Sequence, residues 1–517
     1  MPLSAKSEPH SAHNQKGSGE RFSVFLLPAV AISMLVSNAW FTALDDECAI
    51  IDRAAKPALE TIQLFLRGVG EHEHPPLYDL LLHGWLRLTG GNMHLLRVPA
   101  IVFYVLGGWT LARAAKHLGG SRSQMFVLWM VALWPYGFHF GRVATWYSFG
   151  FFLVSLVTLC YLRFLEVSTR LNWLWLVLAS LALVYSNYFG WALLGCLALD
   201  FALQRKKQIA AWWLPFFGTG ALLLAAYTPL FASFLGELRH GAHAEFHATS
   251  VAASAAYNLY CIFVSESVAP WFWLAGIIAG IAIASCLFLV WSACPLPARH
   301  FLLYFFALFG LMTVMSILFP KRIMLISPWL LLPIGVTLGT LPKQSTRRTI
   351  VALIVLVAGI GWFGIFSRNI YAAPHWVEPW SKVAQHSADV IRNGGVVIGN
   401  NPSFFFYMTY LLPPDASATD HGFAGLLPRA HRKGVYDPDQ WADAGRPLGP
   451  TTLLIKGLHF SIPSGPTDEA ESWLDMHCRL QTDDHLVNDP GARWKNRFAP
   501  QTGQTEWRIE VRTYSCP

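Results

Sequence analysis

The chain reads as a polytopic α-helical membrane protein carrying a small C-terminal α/β domain, and three observations lead there. Of its 517 residues 54% are hydrophobic and only 13% charged, about half the charged share of an ordinary soluble protein. Mean hydropathy is +0.39. Uncharged stretches of bilayer length recur through residues 22–367, whereas residues 368–517 return to a soluble composition.

Residues 1–21 are polar and form an expected disordered cytoplasmic tail. They lack a compact basic n-region, and no small-residue cleavage site follows Phe22–Leu44, so that segment is expected to stay as the first helix. Further apolar segments run near Leu95–Leu111, Met125–Phe140, Trp146–Leu165, Trp173–Ser186, Tyr188–Leu203, Trp212–Leu235, Trp271–Cys294, Phe301–Phe319, Ile323–Leu341 and Ile350–Phe366. That predicts about 11 crossings at the usual span length. Leu77–Leu88 is too short for a span and is read as an interfacial or re-entrant helix.

A cytoplasmic N-terminus puts Arg113/Lys116/Arg122, Arg163/Arg170, Arg205/Lys206/Lys207 and Lys343/Arg347/Arg348 inside, as the positive-inside rule prefers. The loop 45–76, the loop 236–270 and the domain 368–517 are then extracytoplasmic, which in a bacterium means the outer face of the plasma (inner) membrane. The net charge of +7 sits in short loops as a topology signal, so nucleic acid is not an expected partner; membrane lipids are.

Chemistry-bearing residues gather on that outer side. Asp45, Asp46 and Glu47 follow the first apolar segment directly, and carboxylates at a membrane mouth are costly unless they work. Lys321–Arg322 is a basic pair that breaks the charge rule, which suits an anion such as a lipid phosphate at the surface. Arg97 and Arg142 are further cations at that face, with Trp146 and Tyr147 readable either as belt aromatics or as a sugar platform. His72-Glu73-His74 and the His-rich loop containing His243 hold ligand-type residues, so a divalent site using Glu73, His74 and His243 is allowed, although the spacing does not require one.

Asp46-Glu47 after the first helix, His74-Pro75-Pro76-Leu77-Tyr78, and Leu96-Arg97-Val98-Pro99 opening the next span together resemble the membrane-embedded GT-C glycosyltransferases. Within that fold they are most similar to the bacterial relatives of protein O-mannosyltransferases and of the aminoarabinose transferase that modifies lipid A. Phe319-Pro320-Lys321-Arg322 resembles the family's late helix that begins with a basic residue. Where many relatives carry Glu-Ala-Arg-x-Tyr, this chain reads Val143-Ala144-Thr145-Trp146-Tyr147 with Arg142 upstream. The resemblance implies transfer of a hexosyl or pentosyl group from a polyprenyl-phosphate donor to a glycan, lipid or protein acceptor hydroxyl, with inversion. Asp46 is then the expected general base, Asp45 its alternative and Glu47 an orienting acid. Lys321, Arg322, Arg97 and Arg142 are expected at the donor phosphate, and Glu73, His74, Tyr78 and Tyr147 at substrate. No cofactor is required, since a lipid monophosphate needs no metal to hold a diphosphate. The competing reading is a transporter or flippase, which expects broken or charged helices in two matching halves.

In the C-terminal part, Trp380, Val383, Ala384, Ala388 and Ile391 fall at helical spacing, and Val396-Val397-Ile398 and Leu453-Leu454-Ile455 read as buried strands. Cys478 and Cys516 are the pair that a disulfide would join in an oxidising compartment.

Overall fold

The computed structural model describes residues 25–38, 45–67, 74–92, 95–204, 209–231, 233–235, 248–268, 273–315, 318–367, 380–399, 404–405, 408, 412, 432–458, 465–487 and 508–517. The first part is a helical bundle. Helix α1 (Leu26–Ser37) is followed by α2 (Asp45–Ala55), α3 (Ala58–Arg67) and α4 (Leu77–Thr89). Pro76 sets the start of α4, and Gly90 at φ +61 ends it in the left-handed conformation that a helix C-terminus favours.

The centre of the bundle is α5 (Val98–Leu133), flanked by α7 (Trp146–Glu166) and α14 (Pro328–Thr340). The sequence separates this stretch into two spans. The structure likewise divides it, into two helical arms that meet at a bend at Gly120, whose φ +77 and ψ −173 only glycine adopts without strain. Short α6 (Pro135–Gly141) caps the returning arm; α8 (Arg170–Val184), α9 (Gly190–Gln204) and α10 (Ile209–Tyr227) follow α7. Helix α11 (Ala248–Val264) lies inside the stretch expected to be an outer loop. It is apolar enough to pack, with Tyr257, Tyr260 and Cys261 buried against α12 (Trp273–Ala293) and α15 (Gln344–Ser367). Helix α13 (Leu296–Val314) and a 3-10 turn (Pro320–Leu325) lead into α14.

Among the described residues five helices are long and apolar enough to cross a bilayer: α5, α7, α12, α13 and α15. Six apolar helices are shorter, so these lengths do not establish the expected count of eleven.

The bundle has two distinguishable ends. Leu77 N–H donates to Tyr185 O, Trp362 Nε1 to Leu133 O and Ser267 Oγ to Gly361 O, which brings the start of α4, the end of α8, the end of α5, the turn after α11 and the end of α15 to one end. Ser123 Oγ donates to Gly119 O and Val336 O near the Gly120 bend, at the other.

The C-terminal domain matches its sequence pattern. Helix α16 (Trp380–Arg392) buries Val383, Ala384 and Ala388 against a five-stranded sheet. The strands are β1 (Val396–Gly399), β2 (Val435–Tyr436), β3 (Thr452–Leu458), β4 (Arg479–Val487) and β5 (Arg508–Ser515), with α17 (Pro438–Asp443) after β2 and α18 (Gly465–His477) after β3. The sheet order is β2-β1-β3-β5-β4. Strands β1 and β3 run parallel with Val397 opposite Leu453, and β5 pairs antiparallel with both β3 and β4. Cys478, at the end of α18, is bonded to Cys516 beyond β5.

Candidate active site

Helix α2 buries Glu47, Ile50, Ile51 and Ala54, positions spaced i, i+3, i+4 and i+7, so one stripe of the helix faces the bundle. Its first turn holds the three acids, where the positive end of the helix dipole favours negative charge. Glu47, fully enclosed, is held on three sides. Arg97 donates through Nε to Oε1 at 2.8 Å and through Nη2 to Oε2 at 2.7 Å, and the backbone N–H of Ala144 donates to Oε1 at 2.7 Å. This fork ties the mouth of α2 to the start of α5 and to the turn before α7.

Asp46 occupies the same first turn, and Arg53 follows seven residues later on the same helix side, about 20° away. Arg53 Nε donates to Asp79 Oδ2 at 2.9 Å, joining α2 to α4. Burial raises the Asp79 carboxyl from its ordinary range, and Arg53 pulls it back. His83 Nδ1 lies 2.8 Å from Ala54 O, a second tie between the same two helices.

His74 stands where these elements meet the 3-10 turn. Its ring lies 4.3 Å from the Trp146 ring, and its Nδ1 is 3.4 Å from Asn187 Nδ2. Burial holds its pKa well below the usual imidazole value, and the charges of Arg322, Arg53 and Lys321 push in the same direction. His74 is therefore a neutral group inside a cationic neighbourhood. Arg322 lies over the Phe319 ring at 4.8 Å, and both it and Lys321 keep part of their surface open. Tyr78 is buried next to the charges of Glu47 and Asp79, which with burial raise its phenol.

The structure thus brings together His74, Tyr78, Glu47, Lys321 and Arg322, with Asp45 and Asp46 in the adjoining helical turn. Two expected phosphate cations take other places. Arg97 is enclosed and forked onto Glu47, so it serves that carboxylate; Arg142 is enclosed over the Phe138 ring at 4.5 Å, where it closes α6. Tyr147 is buried edge-on against Trp146 and packs in the core. Glu73 and His243 lie outside the described residues, as do the side chains of Asp45 and Asp46.

Sequence reasoning missed Arg53 and Asp79. Their signal was present in the seven-residue step from Asp46 and in the position of Asp79 in the first turn after Pro75-Pro76. It also missed Asp483, His485 and Glu510 of the sheet, which among the described residues are the one group with ligand atoms close enough for a metal. Arg512 already pairs with two of them, through Nε to Glu510 at 2.8 Å and Nη2 to Asp483 at 3.4 Å, which makes that group an ion-pair network.

No family model and no curated relative matches the chain by sequence. Solved structures do match. ArnT from Cupriavidus metallidurans, a lipid A aminoarabinose transferase, superposes in its undecaprenyl phosphate-bound structure with a TM-score of 0.54, over 95% of this chain and 98% of that one, at 14% identity. The apo structure of the same protein gives 0.54 over 96% and 98%, also at 14% identity.

The chain has the GT-C fold.

At this identity the GT-C likeness speaks for the architecture alone. It covers nearly the full length of both chains, so bundle and C-terminal domain together belong to the shared GT-C plan.

Proposed function

We propose that the protein is an inverting glycosyltransferase that moves a sugar from a polyprenyl-phosphate donor to an acceptor hydroxyl on the extracytoplasmic side of the membrane. The observation that carries this reading is that His74, acted on by the charges of Arg322 and Lys321, packs against Trp146, two residues from Ala144, whose N–H holds Glu47 in the acidic first turn of α2. An acceptor hydroxyl is a poor nucleophile at neutral pH, and Asp46 takes its proton as the oxygen attacks the anomeric carbon. The bond from that carbon to the phosphate oxygen breaks, and the lipid phosphate leaves with its charge held by Lys321 and Arg322. Glu47, immobilised by Arg97 and Ala144, fixes the turn that carries the base.

Two further features support the reading. An apolar groove of 470 Å³, lined among others by Phe126, Trp129, Leu330, Ile334 and Trp362, runs beside the helix that Lys321–Arg322 leads into, and suits a polyprenyl tail. The GT-C neighbour of the same fold was solved with undecaprenyl phosphate. A divalent ion on Glu73, His74 and His243 would add charge opposite the phosphate; the scheme itself runs on protein groups.

The test is transfer from a panel of polyprenyl-phosphate sugars in membranes, with products read by mass. Asp46→Asn is expected to lower transfer about 100- to 10,000-fold while the protein still folds. Retention of transfer by both Asp46→Asn and Asp45→Asn would remove the proposed base.

A further inference from the structure

The turn after α11 is a second polar centre at the same end of the bundle. Ser265, Glu266, Ser267 and Val268 are all buried, and Ser265 adopts a left-handed backbone, φ +66, that a non-glycine residue holds only when its surroundings fix it. The surroundings do so. Ser265 N–H donates to Cys261 O at 2.7 Å, Ser265 Oγ lies 2.7 Å from His139 Nδ1, and Ser267 Oγ donates to Gly361 O at 2.8 Å. Helix α15 approaches so closely that a Cβ on Gly361 would meet Val264 O at 2.6 Å and one on Gly364 would meet Ser267 O at 2.7 Å.

Within this turn Glu266 is a buried carboxylate, accepting from Tyr257 Oη at 2.9 Å. The turn meets the helix of Tyr136 directly, since His139, whose Nδ1 lies 2.7 Å from Ser265 Oγ, stands three residues after Tyr136 in α6, and the Glu266 carboxylate is close enough for its charge to act on Tyr136. The Tyr136 hydroxyl donates to Pro320 O, the carbonyl immediately before Lys321–Arg322. A buried charge at the end of a membrane bundle is costly and marks function more often than packing. Its neighbour Tyr136 connects it to the one basic pair that breaks the charge rule.

We infer that Glu266 and Tyr136 are positioning residues: the rigid turn 265–267 holds Tyr136, and Tyr136 holds the Pro320 carbonyl so that Lys321 and Arg322 face the phosphate of a lipid ligand. This rests on the glycosyltransferase reading and adds to it the device that presents the cations. Neither residue touches the reacting atoms in this scheme.

The test compares binding of undecaprenyl phosphate and of uncharged undecaprenol to the full-length protein in nanodiscs, followed by tryptophan fluorescence. The two lipids share a tail and differ in the phosphate, so the ratio of their affinities reports the groups that hold the phosphate. Tyr136→Phe keeps the ring but removes the hydroxyl that donates to Pro320 O, and is expected to shrink the phosphate preference about 5- to 100-fold. Glu266→Gln keeps an acceptor for Tyr257 without the charge and is expected to shrink it in the same direction; it carries the test if Tyr136→Phe does not fold. An unchanged ratio in both folded variants, with only a lower melting temperature, overturns the inference and leaves the function standing. A wild-type protein with no preference for the phosphate overturns both.

Discussion

Glu47 and Arg97 show how a single pair sets the geometry of the site. Both are enclosed, and the Glu47 carboxylate accepts from the Arg97 guanidinium twice and from the Ala144 amide once. Removing one partner strands the other in a dry environment, so Arg97→Ala is expected to cost about 3–5 kcal/mol of stability, measured by denaturation in detergent. Arg97→Lys should cost most of that too, because an ammonium cannot reproduce the fork. His74 sets a pH dependence of definite sign. An unfolded imidazole titrates near 6.5, and the folded one is held well below that by burial and by Arg322, Arg53 and Lys321. Between those two values the unfolded chain binds a proton that the folded chain refuses, so stability falls as pH drops below about 6.5. His74→Gln is expected to flatten this slope in melting curves taken from pH 7 to pH 5; an unchanged slope would mean that His74 protonates freely in the fold. The pair Lys321–Arg322 stood out in the sequence because a basic pair that departs from the charge pattern of the other loops is a local signal. The partnership of Glu47 with Arg97, fifty residues away, was not, since nothing in either local pattern encodes a contact at that separation. Both residues therefore looked available for substrate.

Elements carry the next layer of information: the Pro75-Pro76 start of α4 was legible in the sequence, whereas α2 and α3 fold within the stretch 45–76 that the sequence assigns to an outer loop. The stripe Glu47, Ile50, Ile51 and Ala54 and the Pro75-Pro76 start of α4 are patterns of short range, and the structure folds them as helices that Arg53–Asp79 then locks together. Helix α11 failed that reading. Its sequence, from Ala248 to Val264, is apolar but flanked by the His-rich stretch, so composition assigned the whole region to a loop; burial against α12 and α15 is what makes it a helix. At Gly120 the two spans that the sequence separates meet in a bend beside the basic residues Arg113, Lys116 and Arg122. Its φ of +77 makes the bend specific to glycine, and any side chain there is strained. Gly120→Val is expected to destabilise by about 1–3 kcal/mol through backbone strain. No neighbour stands near that Cβ, so the loss should be the same for Gly120→Ala to within its smaller side chain. A loss that grew steeply with side-chain volume would point to packing instead.

At the scale of the whole molecule, one covalent bond and one chain of contacts orient the site. Cys478 and Cys516 are bonded across 38 residues, a closure worth about 4 kcal/mol in the chain-entropy account, and such bonds persist in oxidising compartments. The domain containing it follows α15, and the end of α15 that leads into it is the end where Gly361 accepts from Ser267 and Trp362 donates to Leu133 O. From there the Tyr136 hydroxyl reaches Pro320, the charge of Arg322 two residues on acts on His74, and His74 packs against Trp146, two residues from the Ala144 amide that holds Glu47. The site therefore shares its end of the bundle with the root of the disulfide-bonded domain, and both should face the oxidising side. Single cysteines placed at positions 46 and 322 in a background lacking the six other cysteines, Cys48 among them, are expected to react with a membrane-impermeant thiol reagent added to the outside of intact cells, and a cysteine at position 345, in the first turn of α15, to stay protected until the membrane is opened. Labelling of 46 and 322 from opposite sides would separate base from cations and leave the proposed reaction without a centre.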